Sequence, residues 1–168
     1  MIHVCSLARL HKTVEETGAR HVISLIGDEV RIDRPAAIAA ENHLRLRLHD
    51  ISAPLDGYIL PEAEHVADLL AFVRRWDRRA PLVVHCYAGI SRSTASAFAS
   101  VCALNPHRDE EGIARALRRA SPTATPNIRI VALADRLLGR DGRMVAAIEL
   151  IGRGELTTEG IPFRLELE

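Results

Sequence analysis

The residues of this chain best suited to covalent chemistry lie between a predicted strand and a predicted helix. Leu82–Val84 is a short apolar run rich in β-branched residues, which favours a buried strand. The Ala-rich segment that begins at Ser91 favours a tightly packed helix. Gly89 in the turn between them allows successive N–H groups to face one concavity. Such a turn at a helix N-terminus attracts anions, because its amides and the helix dipole both favour negative charge.

Two side chains would make this anion site reactive. Cys86 follows the predicted strand directly, where the nearby amides and the helix dipole would favour its thiolate form. Arg92 lies six positions later in the first turn of the predicted helix, and its planar guanidinium can hold two oxygens of a tetrahedral oxyanion. The pattern therefore predicts a thiolate nucleophile beneath a bound phosphate.

The segment resembles the active-site signature of the cysteine-dependent protein tyrosine phosphatases, His-Cys-x5-Arg-Ser/Thr. It is present here as His85, Cys86, five loop residues, Arg92 and Ser93. The resemblance implies that Cys86 is the nucleophile, that Ser93 hydrogen-bonds the departing thiolate and that His85 orients the loop. It also implies that phosphate is bound by Arg92 together with the backbone of Tyr87, Ala88, Gly89, Ile90 and Ser91. A buried structural cysteine and a rhodanese-like sulfur-transfer loop are the alternative interpretations.

A second segment resembles the dual-specificity branch of the same superfamily. Residues 18–25 read G-A-R-H-V-I-S-L, similar to the strand that this branch writes as G-I-T-H-V-I-N-L. Ser24 stands where the branch often has an Asn that braces the phosphate loop, which in this chain is the segment from Cys86 to Arg92. We therefore expect a shorter bracing bond here. The resemblance implies the compact α/β fold of the dual-specificity phosphatases.

Phosphoryl transfer to a thiolate also needs a general acid, because a protonated oxygen leaves far more easily than an alkoxide or phenoxide. The resemblance places this acid on a loop that precedes the cysteine by roughly 30 to 40 residues, a range that contains Asp50 and Asp56. Asp50 directly follows an alternating strand, which is the family context for the acid. Asp56, in the sequence L-D-G-Y, is more typical of a turn. We therefore favour Asp50 as the acid and keep Asp56 as the alternative.

The periodicity of apolar residues and the positions of capping residues, glycine and proline predict strands that alternate with helices along the chain. The tail, in which apolar and polar residues alternate, can add an edge strand. The predicted strands are Ile2–Cys5, His21–Ile26, His43–Leu48 and Leu82–Val84. The predicted helices are Ser6–Thr17, Pro61–Arg79, the segment after Ser91, Asp109–Ala120, Asn127–Leu138 and Asp141–Ile151. This order predicts an α/β fold in which a mostly parallel central sheet is flanked by helices on both faces.

The length of 168 residues is consistent with a single domain, which the resemblance implies is one phosphatase domain over residues 1–168. Lys and Arg together equal Asp and Glu, 22 each, so no overall charge draws the chain to nucleic acid. The sequence lacks an 18-residue apolar stretch and the long apolar core of a signal peptide, which predicts no membrane span and a cytoplasmic location. Its eight histidines show no spacing typical of a metal site, so we expect no metal ion and no cofactor. The oligomeric state is left open.

The predicted activity is metal-independent hydrolysis of phosphate monoesters through a phosphocysteine intermediate, with phosphorylated proteins as substrates. Because the loop interior carries no charge, phosphotyrosine is favoured over phosphoinositides. Arg45 and Arg47 are expected to form a solvated strand face. A phosphoinositide or other non-protein phosphatase and a phosphate-reading module without turnover remain alternatives. Cys5 and Cys102 are expected in the core, and a disulfide from either to an oxidised Cys86 stays open.

Overall fold

A five-stranded sheet forms the centre of the computed structural model, which describes residues 1–167. The strand bounds are β1 Ile2–Ser6, β2 His21–Leu25, β3 His43–Leu46, β4 Leu82–Cys86 and β5 Phe163–Leu165. The strands lie in the order β3-β2-β4-β1-β5. β4 pairs in parallel with both β1 and β2, β3 pairs in parallel with β2, and β5 is an antiparallel edge strand beside β1. The mostly parallel sheet and the edge strand from the tail are therefore confirmed.

Helices cover both faces of the sheet, as predicted. Their bounds are α1 Leu10–Thr17, α2 Ala63–Arg75, α3 Arg92–Leu104, α4 Glu110–Ala120, α5 Ile128–Leu138 and α6 Arg143–Ile151. Short 3-10 turns occupy Leu7–Arg9 and Ala40–Asn42. Successive side chains of β4 point to opposite faces of the sheet, so they pack into two separate parts of the core. Val83 packs with residues of α1 on one face, whereas Val84 packs with α2 and α3 on the other. None of the helices within residues 1–167 is long and apolar enough to span a membrane.

Several element ends differ from the sequence-based bounds for local reasons. Ser6 precedes a 3-10 turn rather than α1 and makes no side-chain capping bond, and its hydroxyl donates to Glu159 Oε1 at 2.6 Å. β3 ends at Leu46, although Leu48 is buried as the alternation predicted. α2 is shorter than predicted at both ends. A capping box at Glu62 fixes its start, and Trp76 leaves the helical conformation while its indole N–H donates to the Ala80 carbonyl.

The predicted ends of the last three helices are largely confirmed. Asp109 caps α4 by accepting from the Gly112 N–H, and Asn127 caps α5. Gly139 ends α5 in the left-handed conformation. α6 begins at Arg143 rather than at Asp141, because Asp141 and Gly142 both have positive φ, at 52° and 83°.

Candidate active site

The Cys86 thiol lies at the carboxyl end of the central strand β4 and is 2% exposed. Its Sγ lies 3.3 Å from the Gly89 amide nitrogen, whose N–H donates to it, and 3.1 Å from the Ser93 hydroxyl. Hydrogen-bond donors directed at sulfur stabilise a thiolate more than a thiol. The structure therefore brings the predicted nucleophile and Ser93 into direct contact.

The loop between Cys86 and Arg92 is oriented by hydrogen bonds that its carbonyl groups accept from outside. The carbonyls of Tyr87, Ala88, Ile90 and Ser91 accept, respectively, from the backbone N–H groups of Leu7 (3.1 Å), Gly160 (2.9 Å), Thr125 (3.0 Å) and Asn127 (3.2 Å). In a planar trans peptide the carbonyl and the N–H point in opposite directions. Outward carbonyls therefore turn the following N–H groups inward, as an anion cradle requires.

Gly89 allows this loop to lie against the end of β1. Its φ is +73°, a conformation that side chains other than glycine rarely adopt. A Cβ at this position would lie 2.8 Å from the Cys5 carbonyl carbon and 2.8 Å from the Ser6 nitrogen. Both the backbone conformation and the close approach therefore require glycine here.

Arg92 is the first residue of α3 and is only 9% exposed. One guanidinium nitrogen donates to the Leu48 carbonyl at 3.0 Å, which ties the loop that follows β3 to the phosphate loop. The Nε of Arg92 is buried and has no hydrogen-bond partner among residues 1–167. A buried donor without a partner costs free energy unless a ligand satisfies it, so this side chain suits an oxyanion.

Asp50 lies at the rim of the same loop. Its Oδ1 accepts from the Ser91 hydroxyl at 2.7 Å and from the Asn127 side-chain amide at 2.9 Å. Asp56, the alternative acid, lies in an exposed turn in which the Tyr58 N–H donates to the Leu55 carbonyl. Of the two candidates, the structure places Asp50 in contact with the phosphate loop.

His85 connects the loop to the neighbouring strands through a chain of polar contacts. Its Nδ1 lies 3.2 Å from the Cys86 carbonyl, and its Nε2 lies 2.6 Å from the Ser24 hydroxyl, which is in turn 2.8 Å from His43 Nε2. A carbonyl only accepts, so His85 Nδ1 carries the proton and Nε2 accepts from Ser24. Burial lowers the pKa of His85 to about 4, which keeps the ring neutral. Ser24 thus braces the loop through His85.

The remaining cysteines lie apart from this chemistry. Cys5 on β1 lies opposite His85 on β4 in the strand register, and neighbouring residues of a strand point to opposite faces of the sheet. The side chain of Cys5 therefore lies on the opposite face from that of Cys86. This arrangement argues against the disulfide between Cys5 and Cys86 that the sequence left open. Burial raises the pKa of both the Cys5 and the Cys102 thiols to about 12. All three cysteines are free.

The cationic side chains of Arg45 on β3 and of Arg47 just after it are already paired. Arg47 Nε lies 2.6 Å from Asp28 Oδ1, and Arg45 donates to the Val30 carbonyl at 3.1 Å and lies 3.7 Å from Asp28. Arg47 is exposed as expected, whereas Arg45 is partly buried rather than solvated. Neither arginine adds an unpaired positive charge to the cradle.

Asn127 and the tail around Gly160 are the contributors to the site that sequence reasoning missed. Asn127 donates to Asp50 and to the Ile51 carbonyl, caps α5 and holds the Ser91 carbonyl through its backbone N–H. The helix predicted from Asn127 placed this residue at the start of α5, but it did not indicate the contact with Asp50. Gly160 lies against the loop so closely that a Cβ there would come within 2.8 Å of the Gly89 oxygen. No local pattern in the tail indicated this contact.

Comparisons with known proteins support the class of protein that this site indicates. A family model described as protein-tyrosine phosphatase matches residues 54–122, which include the whole signature loop but not Asp50. Among curated protein sequences none matches this chain.

Solved structures of phosphatases share its fold. A DUSP15 structure matches with a TM-score of 0.65 at 18% identity, covering 89% of this chain and 90% of the other. PTP-2 phosphatase from Cydia pomonella matches with a TM-score of 0.62 at 20% identity, covering 80% and 84%. PTPMT1 in complex with PI(5)P matches with a TM-score of 0.61 at 14% identity, covering 88% and 93%. These findings confirm the resemblance to the cysteine-dependent protein tyrosine phosphatases, with a fold of the dual-specificity type.

Replacing Gly89 with Ala should weaken binding of inorganic phosphate by about tenfold or more, because the new Cβ displaces the loop from β1. Gly139→Ala is the matched control, since Gly139 also has positive φ, at 63°, but its Cβ would meet nothing within 4 Å. Isothermal titration should show normal phosphate affinity for Gly139→Ala. Equal affinities in the two variants would show that the close approach of Gly89 to β1 does not shape the site.

The depressed pKa of His85 predicts a loss of stability in acid. The unfolded chain takes up this proton near pH 6.5, whereas the folded protein takes it up only near pH 4. The free energy of unfolding should therefore fall as the pH drops from 6.5 towards 4, by up to about 1.4 kcal/mol per pH unit from this group. Urea titrations at several pH values should show a shallower slope for His85→Asn. His3, His21 and His43, whose pKa values burial also lowers, would supply the slope that remains.

Proposed function

We propose that this protein hydrolyses phosphate monoesters through a phosphocysteine intermediate, with phosphotyrosine in proteins as its preferred substrate. The observation that carries the proposal is the buried Cys86 thiol at the base of a loop whose carbonyls are bonded outward. Arg92 is buried beside this loop, and Asp50 is hydrogen-bonded at its rim. The family match and the phosphatase fold support a cysteine-based phosphatase.

Substrate binding rests on the inward N–H groups and on Arg92. The cradle and the guanidinium would hold the three non-bridging oxygens of the phosphoryl group, whose negative charge is spread further in the transition state. Because these groups are fixed by the surrounding hydrogen bonds, little reorganisation accompanies the reaction. Amides and guanidinium supply the positive charge, so the proposed mechanism uses no metal ion.

In the first step, the Cys86 thiolate attacks phosphorus, so that a P–S bond forms as the bond to the leaving oxygen breaks. Asp50 gives its proton to that oxygen, and the alcohol or phenol departs neutral. Among residues 1–167, no hydrogen bond engages Asp50 Oδ2, while Oδ1 is held by Ser91 and Asn127. Oδ2 is therefore the oxygen that we assign to proton transfer.

In the second step, the Asp50 carboxylate accepts a proton from water as the water oxygen attacks phosphorus. The P–S bond breaks, inorganic phosphate is released and Cys86 leaves as a thiolate. The Ser93 hydroxyl and the Gly89 N–H, which lie 3.1 and 3.3 Å from Sγ, stabilise the leaving sulfur. This contact supports the role that the signature implies for Ser93.

The charge around the cradle supports a substrate with a single phosphate. No residue from Tyr87 to Ser91 is charged, and Arg45 and Arg47 are engaged with Asp28 and with backbone carbonyls. A phosphoinositide carries additional phosphate charge that needs further cations. The similarity to PTPMT1 in complex with PI(5)P concerns the fold and leaves this preference unchanged.

Replacing Cys86 with Ser tests the proposal, since a hydroxyl is a far weaker nucleophile than a thiolate. Hydrolysis of an aryl phosphate should fall by about three orders of magnitude or more, while phosphate binding is partly retained. Cys102→Ala is the matched control and should keep its activity, because Cys102 is a buried thiol on the far part of α3. Retained hydrolysis in Cys86→Ser would overturn the mechanism.

Replacing Asp50 with Ala should lower turnover by about 10²–10⁴ for a phosphotyrosine peptide and much less for p-nitrophenyl phosphate. The reason is that nitrophenolate departs readily without a proton. The alkaline limb of the pH–rate profile should also disappear. Asp56→Ala serves as the control and should behave like the unmodified protein in both assays. If Asp56→Ala shows the leaving-group dependence instead, the acid has been assigned to the wrong aspartate.

A further inference from the structure

His49, the residue directly before Asp50, joins the two ends of the loop that carries the proposed acid. Its backbone N–H donates to the Ile59 carbonyl at 2.9 Å, and its Nδ1 accepts from the Ile59 N–H at 2.7 Å. The ring of Tyr58 packs against the imidazole in a T-shaped arrangement, with the ring centroids 5.1 Å apart. Residues 49–59 therefore form a loop that is closed at its base by one histidine.

Glu29, on the segment after β2, holds the other side of the same ring. Because Nδ1 of His49 accepts from a backbone N–H, the ring proton of the neutral imidazole lies on Nε2. Nε2 lies 3.1 Å from both carboxylate oxygens of Glu29 and donates to that carboxylate. A Cβ at Gly27 would lie 2.5 Å from this Nε2, so glycine at that position leaves room for the contact. The imidazole is thus fixed in both orientation and tautomer.

The residues on either side of His49 are tied to the phosphate loop. The Leu48 carbonyl accepts from the Arg92 guanidinium at 3.0 Å, and Asp50 Oδ1 accepts from the Ser91 hydroxyl at 2.7 Å. His49 therefore lies between the anchor of the phosphate-binding arginine and the acid. Rotation about the backbone dihedrals of His49 would move Asp50 relative to the phosphate loop, and the bonds that His49 makes oppose that rotation.

We propose that His49 is a positioning residue for the general acid, and that Glu29 acts through His49 by holding its imidazole. The inference rests on the proposed function, in which Asp50 is that acid. Proton transfer requires the acid to lie within hydrogen-bond reach of the leaving oxygen. His49 sets where Asp50 Oδ2 lies relative to that oxygen, and an error of about 1 Å in such a position can cost about 10²-fold in rate.

A direct catalytic role of His49 does not fit its contacts. Its Nδ1 is occupied by the Ile59 N–H and its Nε2 by the Glu29 carboxylate, so both ring nitrogens are already engaged. By contrast, no hydrogen bond among residues 1–167 engages Asp50 Oδ2. The proton donor is therefore Asp50, and the imidazole acts through the position of the backbone that carries this acid.

The test replaces His49 with Ala and compares a phosphotyrosine peptide with p-nitrophenyl phosphate, whose leaving group departs readily without a proton. The kcat for the peptide should fall by about 10- to 100-fold, whereas the kcat for p-nitrophenyl phosphate should fall by less than about threefold. Phosphate affinity, measured by isothermal titration, should stay within about twofold of the unmodified protein. His65→Ala is the matched control, because His65 Nδ1 also accepts from a backbone N–H, that of Glu62 at 3.0 Å, but at the start of α2. It should leave all three values unchanged.

Conservative variants separate the two bonds of the imidazole. His49→Asn places an amide oxygen near the position of Nδ1, so it can still accept from the Ile59 N–H although it is too short to reach Glu29. It should recover most of the activity towards the peptide that His49→Ala loses. Glu29→Ala removes an exposed side chain and leaves the bonds to Ile59 in place, so it should lower kcat for the peptide by only about threefold. Glu29→Gln should restore that loss, because its amide oxygen still accepts from Nε2.

The pH–rate profile distinguishes positioning from proton transfer. Its alkaline limb should persist in His49→Ala, because Asp50 still supplies the proton. Disappearance of the limb would make His49 the acid and overturn the inference. Equal losses for the peptide and for p-nitrophenyl phosphate, or no loss for either, would also overturn it, while the phosphatase proposal stands.

Two further outcomes are separable from these. If the unmodified protein hydrolyses neither ester, the proposed function fails, and the inference fails with it. Thermal unfolding shows whether His49→Ala is folded at the assay temperature. If it is not, the comparison of Glu29→Ala with Glu29→Gln decides: equal kcat values for the peptide in the two variants would overturn the inference, and a higher value in Glu29→Gln alone would support it.

Discussion

The outward hydrogen bonds of the phosphate-loop carbonyls are the interaction on which the proposed chemistry depends. Several inward N–H dipoles that converge on one point repel one another, so a loop of this shape needs support from outside. The support comes from backbone N–H groups on three separate segments: Leu7 after β1, Thr125 and Asn127 before α5, and Gly160 in the tail. Because the loop is held in this way before any substrate arrives, it can stabilise a transition state without reorganising.

Sheet topology explains why these segments meet at the loop. In a parallel sheet the carboxyl ends of the strands share one edge, and ligands of α/β proteins bind outside that edge. β4 lies between β1 and β2, so the loop that follows it is flanked by the ends of both neighbours. The segment after β3 reaches the same edge, where the Leu48 carbonyl anchors Arg92 and Asp50 meets Ser91.

A row of buried polar side chains, linked by hydrogen bonds, secures the phosphate loop from within the sheet. His43, Ser24 and His85 lie on the adjacent strands β3, β2 and β4, and their side chains are linked by contacts of 2.8 and 2.6 Å. A neutral His85 can hold this arrangement because it donates through one ring nitrogen and accepts through the other. The small Ser24 therefore braces the loop through this histidine, with a contact of 2.6 Å.

The sequence by itself determined the elements whose signals are local. Cys86, Gly89, Arg92 and Ser93 are close along the chain, so a strand, a turn and a helix N-terminus bring them together without reference to other segments. The same holds for the cap at Asp109, whose side chain accepts from an amide three residues away. Burial of Leu46 and Leu48 likewise followed from period-two patterning.

Tertiary structure alone decided which distant groups complete the site. Asn127 meets Asp50 across 77 positions, and Ser6 meets Glu159 across 153. Such contacts carry no spacing signal, because they depend on how the strands are ordered and where the tail returns to the sheet. The sequence favoured Asp50 over Asp56 as the acid, but the contact of Asp50 with Ser91 has the same origin as the contacts above. Both carboxylates follow the third strand, but only the folded chain brings one of them to the Ser91 hydroxyl, since hydrogen bonds act over about 3 Å and chain proximity alone cannot specify that distance.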